Sequence, residues 1–165
     1  MIMKSFFLVL LGIFIFLGCT SYYEDTYKPD IIFEKKIQAS RKGEILKHQK
    51  PVVVAVAIHL NEVDNVIYSG REYFFVEIFS ENKEIFLNDM IEFTLFGKSP
   101  IWSREITKDD FDEILHPSNK WSRNFLVAFD KLDPLASRDA KLVMKVYNLG
   151  KIVFNFAYEA APMQI

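Results

Sequence analysis

Acid–base chemistry near neutral pH would draw first on the chain's three histidines, His48, His59 and His116. A nucleophilic triad needs such a base within reach of a nucleophile and an acid to orient it. No Gly-x-Ser-x-Gly elbow or other local motif places one there. His116 precedes Pro117 at the end of a predicted helix, where a cation suits the dipole. His59 closes an apolar run, with Glu62 and Asp64 close behind it. All three read as structural or solvated groups. A zinc site lacks its parts, because the chain has neither His-Glu-x-x-His nor a pair of cysteines. Two acidic clusters carry donors that calcium would accept: Asn61, Glu62, Asp64 and Asn65, and Asp109, Asp110, Asp112 and Glu113. The first reads as a solvated turn and the second as the acidic start of a helix, which needs no ion. Trp102 and Trp121 would suggest glycan or peptide binding if they shared a surface. Trp102 lies inside a predicted strand and Trp121 just before one, so core packing is expected for both. The six glycines are scattered singly and make no phosphate-cradling loop. The expectation is therefore no catalytic residue, no cofactor and no metal.

Cys19 is the only cysteine, so no disulfide can form within the chain. Ahead of it, Lys4 supplies a short positive flank, and residues 6–17 form an apolar run of twelve. A helix crossing a bilayer core of about 30 Å needs about 20 such residues, so this run reads as a secretion leader. It ends in Phe16-Leu17-Gly18-Cys19, which resembles the lipobox of bacterial lipoproteins, with Phe16 where that family usually has Leu. The resemblance implies diacylglycerol on the Cys19 thiol and cleavage just upstream. Two or more acyl chains would anchor the protein stably, since each buried CH₂ contributes about 0.8 kcal/mol. Thr20, rather than Asp, follows the cysteine; by resemblance to lipoproteins of enteric bacteria this favours the outer membrane, on its periplasmic or surface face. Residues 20–30 have no apolar period and contain Pro29, as a tether would. Tyr22, Tyr23 and Tyr27 could meet headgroups or pack on the domain. The expected division is a signal peptide over residues 1–18, lipidated cysteine and tether over 19–30, and one folded domain over 31–165.

Removing the leader leaves 147 residues, enough for one sizeable core without metal or disulfide. Charge is near balance, −2 overall and −3 once Lys4 departs, which argues against a nucleic-acid partner. Aromatics at 15% exclude a disordered chain, and twelve of the sixteen Phe lie beyond the leader.

The elements that must position these residues repeat with period two. Leu142, Met144 and Val146 alternate with Lys141, Val143 and Lys145; Ile152, Phe154, Phe156 and Tyr158 alternate with Lys151, Val153, Asn155 and Ala157. Asn148-Leu149-Gly150 between them predicts a hairpin of 141–148 with 151–159. A second hairpin is expected where 90–96 turns through Gly97-Lys98-Ser99-Pro100 into 101–106. Residues 52–60 and 72–80 read as central strands apolar on both faces, and 124–129 as another. Residues 31–49 fit two short strands turning at Lys42-Gly43, with a helix as the alternative. A capping box of Thr107 and Asp110 ahead of Phe111, Ile114 and Leu115 predicts one short helix, ended by Pro117.

About seven to eight short strands with one short helix make an all-β, antiparallel β-sandwich. Residues 132–140, Leu-Asp-Pro-Leu-Ala-Ser-Arg-Asp-Ala, resemble the loop that enters the penultimate strand of immunoglobulin-like domains. The tyrosine and cysteine usual after it are replaced by Lys141, Leu142 and Val143. Taken whole, the chain resembles small lipoproteins of Campylobacter-type bacteria with a variant immunoglobulin-like fold, a resemblance of architecture and not of motif. The lack of a triad, metal motif or phosphate loop, beside a strong anchor and a well-patterned sandwich, leads to the expectation of a non-enzymatic, membrane-anchored interaction or adhesion module that presents loops or an open sheet edge to another cell-envelope or host protein. The alternatives are a binder of a small ligand, glycan or lipid, and then an enzyme. A deep pocket with convergent polar groups would favour the ligand reading.

Overall fold

The computed structural model describes residues 30–87, 90–133 and 140–157. The strands predicted beyond residue 50 are present wherever they lie within them. Branched and aromatic side chains dominate β2 (Lys50–His59), β3 (Glu72–Phe79) and β6 (Arg123–Phe129). These shapes suit a pleated surface packed on both sides, and the three strands form the middle of a five-stranded antiparallel sheet. β1 (Ser40–Lys47) and β5 (Trp102–Ile106) are its edges, giving the order β1-β2-β3-β6-β5. The second sheet runs β4-β7-β8, from Ile91–Leu95, Lys141–Val146 and Gly150–Asn155. The order β2-β3-β6-β5 facing β4-β7-β8 is the topology of a constant-type immunoglobulin sandwich, with β1 as an added edge strand. β7 is the penultimate strand. Residues 134–139 of the loop that resembled its entry lie outside the described residues.

One core fills the space between the sheets. Val53, Ala55 and Ala57 of β2, Phe74, Val76 and Ile78 of β3, and Val127 and Phe129 of β6 meet Phe93, Leu142, Met144, Val146, Ile152 and Phe154. Antibody domains tie their sheets at this level with a disulfide; here apolar contact alone does so. The β7–β8 hairpin pairs Leu142 with Phe154 and Met144 with Ile152, which turns Ile152, Phe154 and Phe156 inward and Lys151 outward as the alternation required. The second strand of that predicted hairpin ends at Asn155, and residue 158 onward is outside the described residues.

A second apolar cluster covers the outer face of the large sheet. Ile58, Phe75, Ile106 and Leu126 project there and are roofed by Leu60, Val63, Tyr68, Ile114 and Leu115. The roof consists of α1 (Ile31–Gln38), the single turn α2 (Leu60–Val63) with its following loop, and residues 107–122. Buried Glu77 fastens the last of these, accepting hydrogen bonds from Ser118 N (2.9 Å), Ser118 Oγ (2.8 Å) and Asn119 N (3.4 Å).

Four expectations need correction. Residues 91–95 and 101–106 do not form a hairpin. The chain turns tightly at Phe96-Gly97, both at positive φ, and then crosses to the other sheet, because Trp102 and Ile106 bury in the outer cluster while Phe93 and Leu95 bury between the sheets. Residues 31–49 form α1 and β1 rather than two strands, and the turn into β2 falls at His48-Gln49, both at positive φ. Gly43 sits inside β1, where β8 comes so close that a Cβ would collide with Ile152. The capping box of Thr107 and Asp110 forms, but it starts only a 3₁₀ turn, Lys108–Asp110. Asp112 then captures the N–H groups of Ile114 (2.8 Å) and Leu115 (2.6 Å), and the backbone leaves the helical path. Trp121 is 72% exposed, not packed in the core, because strand pairing begins only at Arg123 and Lys120 covers one ring face.

Candidate functional site

The three histidines are not brought together. His48 is exposed in the β1–β2 turn and His59 ends the same ten-residue strand, about 30 Å away at strand rise. His116 is exposed in the outer loop, its ring edge on Phe111 (5.5 Å).

His59 is nevertheless tightly constrained. It is 8% exposed and stacked on Phe74 at 4.8 Å. Nδ1 lies 2.9 Å from Glu62 Oε1 and Nε2 lies 2.9 Å from Glu72 Oε2. Glu72 is itself 7% exposed, and its other oxygen accepts from Leu132 N (3.1 Å). The pair thus fastens β2, α2, β3 and the segment after β6. Burial alone would lower the imidazole pKa, but the hydrogen bonds and charges of Glu62 and Glu72 together raise it. Burial likewise pushes Glu72 up, and the bonds from His59 and Leu132 with the Lys131 charge bring it below its ordinary value. Both ring nitrogens face carboxylates, so neither is left to take a proton from a nucleophile. The cluster is a hydrogen-bonded group, ionic when His59 is protonated, that holds elements together. Sequence proximity pointed to Glu62 and Asp64; Asp64 instead accepts from Val66 N and Ile67 N, and Glu72 was missed. Only the register His59↔Phe74 carries Glu72 to within reach.

The pH dependence of stability follows. His59 contributes fully below its ordinary 6.5 and loses that contribution as pH rises through its raised folded value. Glu72 contributes fully above its ordinary 4.5 and loses it as pH falls through its lowered folded value. Urea midpoints should therefore be highest between 4.5 and 6.5 and decline on both sides. A His59→Gln variant should lose the decline on the alkaline side; a variant that kept it would place the titrating group elsewhere.

The acidic clusters spend their donors on backbone. Asn61 donates to Arg71 O (2.6 Å) and accepts from Tyr73 N (2.8 Å), and Asp110 bonds Arg104 (2.8 Å) and Thr107 N (3.0 Å). The Arg104 and Thr107 bonds hold Asp110 down at about 2. Tyr68, buried and facing the Asp112 and Asp64 charges, is pushed up to about 12 and stays neutral. Among the described residues no group of His, Cys, Asp and Glu converges as a metal site. Trp102 is half-buried against Tyr73. Cys19 and the rest of the leader lie outside the described residues.

What stands open is one side of the sandwich. On the β1/β8 side, Arg41 Nε donates to Asn155 O (2.9 Å) and the Gly43 backbone lies against Ile152. On the β4/β5 side the sheets part. The inward positions of β5 are Ser103 and Glu105, too short or too polar to continue the core. A cleft of about 510 Å³ remains, walled by Phe86, Ile91, Phe93 and Phe125. Arg123 crosses it over Phe86 (4.9 Å) and is neutralised by Glu105 through Nε (2.6 Å) and Nη2. β4 forms one lip. Tyr147 N donates to Met90 O (2.8 Å), and alternation along the ladder then directs Glu92 and Thr94 toward β7 and Ile91 and Phe93 outward. Leu95 closes on Lys98, which leaves the N–H and C=O of Ile91 and Phe93 at an edge that is free among the described residues.

No protein-family model, curated protein or solved structure matches this chain.

Proposed function

We propose that the protein is a lipid-anchored, non-enzymatic interaction module of the bacterial cell envelope that receives a strand of its partner on β4. The observation that carries the reading is the free β4 edge standing over an aromatic-walled cleft. An added strand would gain main-chain hydrogen bonds at Ile91 and Phe93, and its alternate side chains would fill the cleft. Such recognition needs no distinctive motif in the receiving chain. The other edges are guarded: β1 and β8 shield each other, and β5 carries the Arg104–Asp110 and Arg123–Glu105 ion pairs. The leader ending at Cys19 supports a lipid anchor, with residues 20–30 as the tether.

Ile91→Pro tests the reading. Proline removes the outward N–H of Ile91 while leaving the ladder to β7 intact, a place where edge strands tolerate it. The variant should melt close to wild type yet fail to complement a deletion in the native host. Cys19→Ser should fail as well, but by loss of the detergent-phase partition and lipid mass increment of the wild type. An Ile91→Pro protein that folds and complements fully would refute strand addition at β4.

A further inference from the structure

The outer side of β5 carries a second pocket of about 510 Å³, within the 300–1,000 Å³ common for small-molecule sites, which shares only the Glu105–Arg123 pair with the β4/β5 cleft. It lies under the loop that Glu77 fastens. Its apolar walls are Ile106, Phe111 and Pro117, and Lys108 and Lys120 stand in its lining. Three observations give it a ligand chemistry. First, two of its three cationic side chains of Lys and Arg are uncompensated. Arg123 is taken by Glu105, whereas neither Lys108 nor Lys120 has a carboxylate partner among the described residues. Of the acids nearby, Glu105 is held by Arg123, Asp110 by Arg104 and Thr107, and Asp112 by backbone N–H groups. Second, Asn124 lines the pocket at 4% exposure with only one end of its amide used, by the Ser122 hydroxyl at 2.9 Å. The other end has no hydrogen-bond partner among the described residues and is not sealed from solvent, so it is free to meet a ligand. Third, the other clefts lack this combination. The β4/β5 cleft neutralises its arginine, and the cleft beside α1 sets Lys35 among Glu62 and Asp64.

We propose that this pocket binds a small organic carboxylate with an apolar body. The body would lie on Ile106, Phe111 and Pro117, and the head would meet the Lys108 and Lys120 ammonium groups. Lysine suits this role as a mobile point charge that can follow heads of differing geometry. Trp121, exposed and 5.1 Å from Lys120 Nζ, stands beside the mouth. This site goes beyond the β4 reading, because its apolar walls and its two lysines lie on the opposite face of β5 and no residue of β4 lines it.

The probe is 4-phenylbutyrate, with 4-phenylbutan-1-ol as its uncharged counterpart, titrated into the full mature protein and followed by backbone amide shifts. The acid should bind saturably with a Kd of about 1 mM or tighter, moving the amides of Ile106, Phe111 and Asn124. The alcohol, and the acid with Lys108→Met/Lys120→Met, should each bind about ten-fold more weakly or worse. Lys145→Met, on the other sheet, should leave the acid's affinity unchanged. Equal binding of acid and alcohol, wild-type affinity in the double lysine variant, or no saturable shift at these amides would overturn the proposal. Ile91→Pro should leave the titration unaltered, so failure of either site is read separately.

Discussion

His59→Leu should lower the free energy of unfolding by about 3–5 kcal/mol, the cost of stranding a buried charge by deleting its partner. The charge at issue is Glu72, 7% exposed, which would keep Leu132 N but lose the imidazolium. Replacing both members, His59→Leu with Glu72→Met, should cost distinctly less than the sum of the single changes, because a desolvated pair can be exchanged for apolar contact at little net loss. Urea melts of the two single variants and the double variant measure this. Additive losses would mean that the two groups do not share their burial. The expected loss also qualifies any attempt to read catalysis from histidine removal. A variant lacking all three imidazoles would fail through folding at His59, not through missing chemistry.

Phe154→Ala should be as costly, about 3–5 kcal/mol, through lost transfer free energy and the cavity left behind. Phe154 is 1% exposed, sits opposite Leu142 in the β7–β8 ladder and lies near the Gly43 backbone. With no side chain at Gly43, the nearest backbone has little with which to refill the space. Lys151→Ala, three residues earlier and exposed, should change the urea midpoint by far less. Equal, mild effects at both positions would mean that Phe154 faces solvent and that the hairpin's register is shifted.

How much of this was legible in the sequence depended on the range of the interaction. The β7–β8 hairpin was legible because large apolar side chains at Ile152, Phe154 and Phe156 alternate with smaller or polar ones and so fix a face, and Gly150 supplies the turn. The assignment of β4 and β5 to different sheets was not. Gly97 to Pro100 shows that the chain turns, but which sheet the next strand joins depends on where Trp102 and Ile106 find apolar partners. Thr107 and Asp110 announced a helix start correctly, and Asp112 ended it through a local bond that competes with helix continuation. Trp121 was misplaced because nearness to a strand says nothing about which side of its first residue the ring takes. At the candidate site, neither the free edge of β4 nor the Asn124 pocket has a linear signal. Both arise from topology: β4 has one neighbour among the described residues, and the loop of residues 107–122 arches over β5.

The central claim, that a partner strand pairs with β4, is tested most directly by a photo-crosslinking residue at Glu92, on the outer face of that strand, in intact cells of the native host. The prediction is a discrete adduct from position 92 that is absent when the same residue is placed at Val153 of β8, and absent from position 92 once Ile91→Pro is added. A position-92 adduct that persists undiminished in the folded Ile91→Pro protein would contradict it.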